Sequence, residues 1–522
     1  MFIFCRRGQK MNIKKQTHKS KFEVLHSKRR KFVNYTIEAK AGREYDVVVC
    51  GAGTAGVIAA IAAGRQGARV LLIERSYHVG GMLTEGNAGI TKFTLTYGRE
   101  IEKYKKLVTD VLATDPRSVQ VAGGIPHELC MRLIESGGAA GTNGDCGAYV
   151  FTERYAIETM LLDMLAEAGV EILYDSRVCV VDMEGDTLKK VVVANKSGFV
   201  EYAAKCFIDS TGDADVAALA GVDFFLGASP RDIEESCGKL KLGELQECGT
   251  MYRVDGVDFD SLFEYFETHP GFTWQACALM TFDEIKERYA KGEMCCFSVP
   301  ITNPDPETRE ARPRVLVQIY VEPSHKGAIL LSEGKGEHSN TYLGDGTDAE
   351  SLSKGMTKLI YGALDVTEIL RREYPAGFAN ARVVHVPEIG VRETRHIVGK
   401  YTITAMDVML GGNFDDSIGC SSHHVDGAGL TAEMSKLYRD KWMFHIPYRI
   451  MLPEKVKNLL VACRAASSTK VASGALRVTV SCMQLGEAAG IAAAMAAKAG
   501  ISPDEIDVKA LQRILVDGGS II

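Results

Sequence analysis

The stretch 45–74, YDVVVCGAGTAGVIAAIAAGRQGARVLLIE, decides how this chain folds. Tyr45 to Cys50 form an apolar, β-branched run, Gly51, Gly53 and Gly56 follow at once, and a small-residue helix is predicted from about Thr54 to Gly67. Arg69 to Ile73 read as a second strand ending at Glu74. A lone GxGxxG is weak, but strand, glycine turn, helix, strand and acid in this order specify a dinucleotide-binding βαβ unit. Gly51 permits the tight turn, Gly53 lets backbone approach a pyrophosphate, and Gly56 lets helix and strand pack closely. The helix N-terminus at Thr54 and Ala55 offers free N–H groups to the phosphates. Glu74, 23 residues after Gly51, can accept hydrogen bonds from both hydroxyls of an adenosine ribose, and an acid there argues against a 2′-phosphate.

The 522 residues are enough for two to four domains, with 46% hydrophobic and 25% charged residues, as expected of a soluble protein. The formal net charge is −6, but residues 1–44 hold 13 Lys or Arg against 3 Glu, a local +10, so the remainder carries −16. An acidic body disfavours nucleic acid as a partner, because phosphate binding needs a cationic face. The basic tail, MFIFCRRGQKMNIKKQTHKSKFEVLHSKRRKF, has no sustained periodicity and reads as disordered. MFIF is too short a core for a secretory signal, while a transit peptide and a start at Met11 both stay open. No run of 18 apolar residues occurs, so no membrane span is expected. Fourteen cysteines, scattered singly apart from Cys295 and Cys296 and without CxxC, predict free thiols in a reducing, cytoplasmic setting. Their spacing supports neither a redox disulfide nor an iron–sulfur cluster. Cys50, Cys463 and Cys482 lie in apolar segments and read as small buried hydrophobes.

Past Glu74, RSYHVGGMLTEGNAGI holds a second glycine pair, Gly80 and Gly81, which on spacing alone is either a second backbone contact to an extended cofactor or an ordinary loop. Helices are expected near 98–113, 126–136 and 152–168. The run RVCVVDMEGDTLKKVVVANKSGFVEYAAKCFIDSTGDADVA reads as a β-meander of three strands and a fourth apolar strand. That last strand delivers Thr211, Gly212 and Asp213 to the carboxyl edge of the sheet, where ligands of open α/β folds sit. From 226 to 440 aromatics, prolines and charges rise, a helix is expected from about 349 to 373, and no second GxGxxG follows a strand. This predicts an inserted α+β domain that covers the cofactor. Near its end Arg392, Arg395 and His396 are expected on a short helix or turn, with ion pairs from the arginines to Glu388 and Glu393 as the plainer reading. His423, His424 and Asp426 cluster, but no metal is expected from that pattern alone. The chain returns to the sheet with Leu459 to Ala462, a Ser/Thr-rich loop carrying Arg464 and Arg477, and a Gly/Ala-rich helix from about Met483 to Lys498. Gly486 and Gly490 there permit close backbone approach, and with Glu487 inside it the helix reads as a core helix. The domains expected are a tail at 1–44, a nucleotide-binding domain at 45–225 and 441–522, and the insert at 226–440.

GAGTAG with Glu74, GGMLTEGNAG, DSTGDADVA, GVRETRHIVGKY, HIPYRIMLP at 445–453 and NLLVACRAASSTKVASGALRV with the helix after it occur in one order. From about residue 34 to 500 the chain resembles the FAD-dependent oxidoreductase family whose members are described as like the flavin subunit of heterodisulfide reductase, within the glutathione-reductase-like fold. The resemblance implies FAD, held by the first βαβ unit at one end and by the returning strand and helix at the other. It implies contacts from Gly51, Gly53, Thr54, Ala55, Gly56, Glu74, Arg75, Gly81, Met82, Thr211, Gly212, Asp213, Arg464, Arg477 and Gly486. The dipole of the last helix would favour the negative charge of reduced flavin. Two departures stand out: Cys463 replaces a glycine usual before the arginine, and the [4Fe-4S] cluster described for family members has no cysteine pattern here.

The function expected is hydride transfer between FAD and a small organic substrate in a pocket shaped by the insert. Arg392 and Arg449 are the candidates for holding an oxygen-rich group bidentately, and His424 and His445 for general acid/base work. The alternative is an electron-transfer subunit that serves an iron–sulfur partner. A nucleotide-fold scaffold without turnover is a third class, and the oligomeric state is left open.

Overall fold

The computed structural model describes residues 36, 38–86, 90–91, 94–96, 118–140, 149–269, 275–276, 282–292, 295–304, 309–311, 313–322, 327–332, 340–423, 425 and 443–522. The basic tail up to residue 35, the helix expected at 98–113, His424 and Asp426 fall outside these residues.

Strand β1 (Lys40–Cys50) leads through the glycine turn into α1 (Thr54–Arg65) and β2 (Val70–Ile73). Helix α2 (Arg154–Glu167) ends before Gly169, as its apolar spacing of Ile157, Leu161, Met164 and Leu165 requires, and is followed by β3 (Glu171–Leu173). The meander comprises β4 (Arg177–Glu184), β5 (Thr187–Asn195) and β6 (Gly198–Asp209). The insert contributes β7 (Tyr252–Asp255), β8 (Cys295–Thr302), β9 (Arg314–Glu322), β10 (Gly327–Ser332), helix α3 (Ala349–Glu373) and β11 (Arg382–His385). Then come a hairpin of β12 (Ser417–Ser421) and β13 (Phe444–Pro447), β14 (Leu459–Val461) and helix α4 (Thr479–Ala499).

The main sheet runs β3-β2-β1-β6-β5-β4, with β14 also pairing β6. Strands β3, β2, β1, β6 and β14 are mutually parallel, and β5 is antiparallel to both β6 and β4. The meander strand and the fourth strand expected from sequence are one: β6 pairs β5 along residues 198–203 and β14 along 207–209. Changing partner midway changes which side chains are buried, so the alternation breaks although the strand does not. β1 likewise starts before Tyr45, since Lys40 and Ala41 pair with Val200 and Glu201.

Burial alternates along the central strands. Val47, Val49, Val70, Leu72, Ile208 and Leu460 face the core made with α1 and α4. Val48, Cys50, Leu71, Ile73, Phe207, Leu459 and Val461 face the opposite way, onto Leu188, Val191 and Val193 of the meander. This is the α/β, Rossmann-type sheet with a β-meander.

The insert has its own core. Its antiparallel sheet runs from the short strand Gln275–Ala276 through β8, β9, β10 and β7 to β11. Ala363, Val366, Ile369 and Leu370 of α3 pack with Phe259, Leu262, Phe263 and Phe266 against it. The buried residues of this core run to Ala381, with Val383 and Val386 packed against it, whereas Ile403, Ala405, Val408, Met409 and Ile418 pack with the first core. The two strands that join it to the main sheet, Phe224–Leu226 and Arg395–Ile397, pair antiparallel.

Helix α4 has 21 residues, longer than expected because Thr479 to Cys482 already turn, and by length and composition it could cross a membrane, but 94% of that window is buried within the chain. It lies across α1 (Gly486 over Ala55, Gly490 over Ala59).

Candidate cofactor and substrate site

The carboxyl ends of β1, β6 and β14 meet at one edge. Gly51 has φ +96°, and a Cβ there would lie 2.5 Å from the Ser210 carbonyl oxygen. One on Gly56 would lie 1.8 Å from the Gly51 oxygen, so both positions are closed to any larger residue by the chain itself. Gly53 differs. Its backbone is extended, and a Cβ on it meets nothing among the described residues within 4 Å. No side chain caps α1, and its first turn holds no acid, so Thr54 and Ala55 open the helix with N–H groups that no cap satisfies. An open glycine before an uncapped helix start can cradle a pyrophosphate, and a side chain at Gly53 would fill that space.

The second glycine pair backs onto the first. Gly80 N donates to Ala52 O at 2.8 Å, and a Cβ on Gly81 would be 2.9 Å from Gly53 Cα. Glu74 is nearly buried. Its Oε2 accepts from Ala52 N at 2.7 Å and its Oε1 from Ser76 N at 2.8 Å. The carboxylate therefore pins the glycine turn itself, and each oxygen keeps a further acceptor site for a ribose hydroxyl.

At the end of β6, fully buried Asp209 accepts from Thr211 N at 3.0 Å, Thr211 Oγ1 at 2.7 Å and Ala217 N at 2.8 Å. Burial nevertheless pushes its carboxyl up to about 6. The Thr211 hydroxyl donates to Asp209 and accepts from Asp215 N, so it organises the turn. Gly212 faces Arg464, whose guanidinium a Cβ would approach to 2.5 Å. Arg464 pairs with Asp213, and its wholly buried Nε has no hydrogen-bond partner among the described residues. Arg477 ends the short helix Lys470–Leu476 just before α4, and its carbonyl accepts from the Cys482 thiol at 3.4 Å. Burial pushes Cys482 up to about 11 despite Arg464 and Arg477, and Cys463 still higher, so both stay protonated as buried apolar groups.

The segment 388–395 crosses this edge from the insert. Arg75 pairs with Glu388 at 2.7 Å. Gly390 exchanges hydrogen bonds with Gly249, and a Cβ on it would lie 3.2 Å from Met82 Cε. Arg392 Nη2 stands 3.7 Å from the Cβ position of Gly249, and Thr394 Oγ1 donates to Asp213 Oδ1 at 2.7 Å. Arg395 donates to Asp213 O at 2.6 Å and Asp215 Oδ1 at 2.8 Å, with Phe224 beneath it. The pairing expected within this segment is not formed: Glu388 takes Arg75, and Glu393 takes buried Lys470 and, at 3.0 Å, His396. Arg395 and His396 stand on a strand rather than a helix, because Phe224–Leu226 lies alongside to pair with them.

Three candidates are used elsewhere. Gly486 meets the Ala55 carbonyl of α1, so its missing side chain serves helix packing. Arg449 is half exposed, 3.6 Å from Asp416 and stacked on Tyr401 and Phe414, holding the turn before β12. His445 sits opposite Cys420 in the hairpin, its Nδ1 3.2 Å from Ser417 Oγ, and burial holds it below its usual pKa. The sequence does not single out Cys248, Gly249 or Thr394: the first two lie in no motif, Thr394 sits within GVRETRHIVGKY with no feature of its own, and only the fold brings them beside Arg392, Arg464 and Asp213.

The pattern of the FAD dependent oxidoreductase family matches residues 46–515, which takes in every segment of this edge. The chain belongs to that family. This FAD-dependent oxidoreductase is 29% identical over 228 residues to digeranylgeranylglycerophospholipid reductase of Methanosarcina acetivorans, a match covering 44% of this chain and 48% of that protein. The enzyme of the same name from Methanosarcina mazei is 30% identical over 229 residues, again 44% and 48% of the two lengths. The chain thus spans about half the length of these curated relatives. Among solved structures, a geranylgeranyl bacteriochlorophyll reductase-like protein from Thermoplasma acidophilum has a TM-score of 0.42 at 13% identity, covering 91% of this chain and 84% of its own.

Proposed function

We propose that this FAD-dependent oxidoreductase transfers a hydride between the flavin and a small organic substrate enclosed beneath segment 388–395. The observation that carries the reading is the reach of that one segment: it touches Arg75, Met82 and Asp213, residues from three of the stretches expected to hold the cofactor. The residues present fit FAD. Gly53, Thr54 and Ala55 would hold the pyrophosphate, Glu74 the ribose, and Gly81, Met82 and Arg464 the part beyond. Bound FAD supplies the two-electron acceptor or donor. The protein's task is to exclude water and fix the substrate carbon about 3 to 3.5 Å from the reacting flavin atom. Arg392, delivered by the covering segment, is suited to hold a substrate oxygen through its planar fork. Of the histidine candidates, His445 is engaged in the hairpin with Ser417, and His424 stays a candidate for the proton from its place in the sequence.

The test is anaerobic: purify the protein, record its visible spectrum, measure iron, and ask which metabolites bleach the flavin. A yellow protein bleached by one class of small molecule supports the reading, with Arg392→Ala raising the concentration needed while FAD stays bound. Bleaching by no metabolite, with about four irons per chain, would sink it in favour of an electron-transfer subunit.

A further inference from the structure

A cavity of about 250 Å3 lies where the insert meets the main sheet, between Glu153, Arg154 and Tyr155 on one side and Arg253, Val384 and His385 on the other. We propose that it is an oxyanion subsite: the substrate carries a carboxylate or phosphate that Arg154 and Arg253 hold here. This rests on the oxidoreductase reading above and names the class of substrate.

Placement comes first. Helix α2 feeds directly into β3, which is parallel to β2, so the α2 N-terminus lies at the carboxyl edge of the sheet, where the glycine turn also lies. Both walls run into the cofactor edge. Glu85, the partner of Arg154, follows the Gly81–Leu83 turn, and His385 stands just before segment 388–395. A molecule anchored in the cavity can therefore reach the edge beneath Arg392.

Charge comes second. Arg154 is mostly buried, pairs with Glu85, and has Nη1 3.4 Å from His385 Nε2, yet its buried Nε has no hydrogen-bond partner among the described residues. Arg253 pairs with Glu322 at 2.9 Å. Each guanidinium has five N–H donors, so one carboxylate leaves most of them for a ligand oxygen. Glu153 also faces the cavity, but as the residue before the helix it caps nothing with its side chain, and no acid follows in the first turn of this 14-residue helix. Burial and the adjacent Arg154 hold His385 below its usual pKa, so it stays neutral and donates one N–H without adding a charge. At about 30 Å3 per water, the volume suits an oxyanion with several attached atoms.

The experiment is calorimetric titration of the FAD-loaded protein, whose pyrophosphate cradle is filled, with inorganic phosphate in one series and acetate in another at fixed ionic strength. Wild type should bind at least one; acetate alone points to a carboxylate substrate, phosphate alone to a phosphorylated one. Arg253→Met should weaken binding about tenfold or more. Val384→Asp gives the cleaner variant, since Val384 is 43% exposed, belongs to no ion pair, and an acid there repels the anion without unpairing any group. It too should weaken binding about tenfold with flavin content unchanged. A protein that holds no FAD overturns the reading beneath the proposal. A yellow protein with flat titrations, or with Val384→Asp binding like wild type, overturns the cavity alone.

Discussion

Gly486 of α4 meets the backbone of Ala55 in α1 so closely that a Cβ on it would lie 2.2 Å from the Ala55 oxygen. Neither partner can retreat. Ala55 belongs to the first turn after the glycine cradle, and the next residue, Gly56, is already wedged against Gly51. Gly486→Ala should therefore lower stability by about 1–3 kcal/mol, the usual cost of overpacking. Denaturant unfolding of the yellow protein measures it, and an unchanged midpoint would show that the helices can part without cost. FAD should also bind more weakly, because Ala55 can move only by moving the N–H groups that face the phosphates.

Gly53→Val separates the cofactor from the fold. Nothing among the described residues opposes a side chain at that position, and its φ of −73° suits valine. The variant should fold with wild-type circular dichroism and purify colourless, since the isopropyl group occupies the pyrophosphate position. Stoichiometric flavin in it would mean the cradle is elsewhere.

Lys470 and Glu393 form an ion pair with side-chain exposures of 6% and 2%, and His396 completes the buried set. Burial by itself pushes the Glu393 carboxyl up, but His396 and Lys470 bring it below its ordinary value. Lys470→Met leaves that carboxylate short of a cation and should cost about 3–5 kcal/mol. The double variant with Glu393→Gln should recover part of the loss, since it removes the stranded charge. Equal stability of single variant and wild type would show that the pair contributes nothing.

What the sequence made legible was local. The βαβ unit is read from contiguous residues, and the helix expected at 349–373 is found as Ala349–Glu373 because a 25-residue helix carries its own periodicity. The covering segment could not be read that way. Gly249 and Gly390 exchange hydrogen bonds although about 140 residues separate them, and nothing in the GVRETRHIVGKY motif that Gly390 opens points to Gly249. Arg395 and His396 misled for a related reason: a strand formed by pairing with Phe224–Leu226 follows its partner and not local propensity. Arg449 and Gly486 sit in motifs that carry the family resemblance, yet one supports a turn and the other a helix crossing. Membership of a motif does not say whether a residue faces the ligand or the chain.

Glu487, the one acid in α4, sets a pH dependence whose sign can be worked out. Its Oε1 accepts from Ile125 N at 3.1 Å, and a Cβ on Gly124 would lie 2.4 and 2.5 Å from its two oxygens, so it caps the helix Gly124–Glu135 from inside the core. Burial pushes its carboxyl up to about 7, outweighing the Ile125 N–H and the nearby Ser520 hydroxyl and Arg65, which act the other way. Unfolded, the same group titrates near 4.3. The native state thus binds this proton more tightly than the unfolded chain does. The stabilisation is fully present below about pH 4 and is lost as pH rises through about 7, and its full extent is of order 3 kcal/mol. Glu487→Gln fixes the neutral shape and still accepts from Ile125 N. Compared by denaturant unfolding, variant and wild type should be nearly equal at about pH 4, while at pH 8.5 the variant should be more stable by about 3 kcal/mol. The same stability difference at both pH values would show that Glu487 does not titrate in this range, and a variant weaker than wild type at pH 8.5 would show that the charged carboxylate is the better cap.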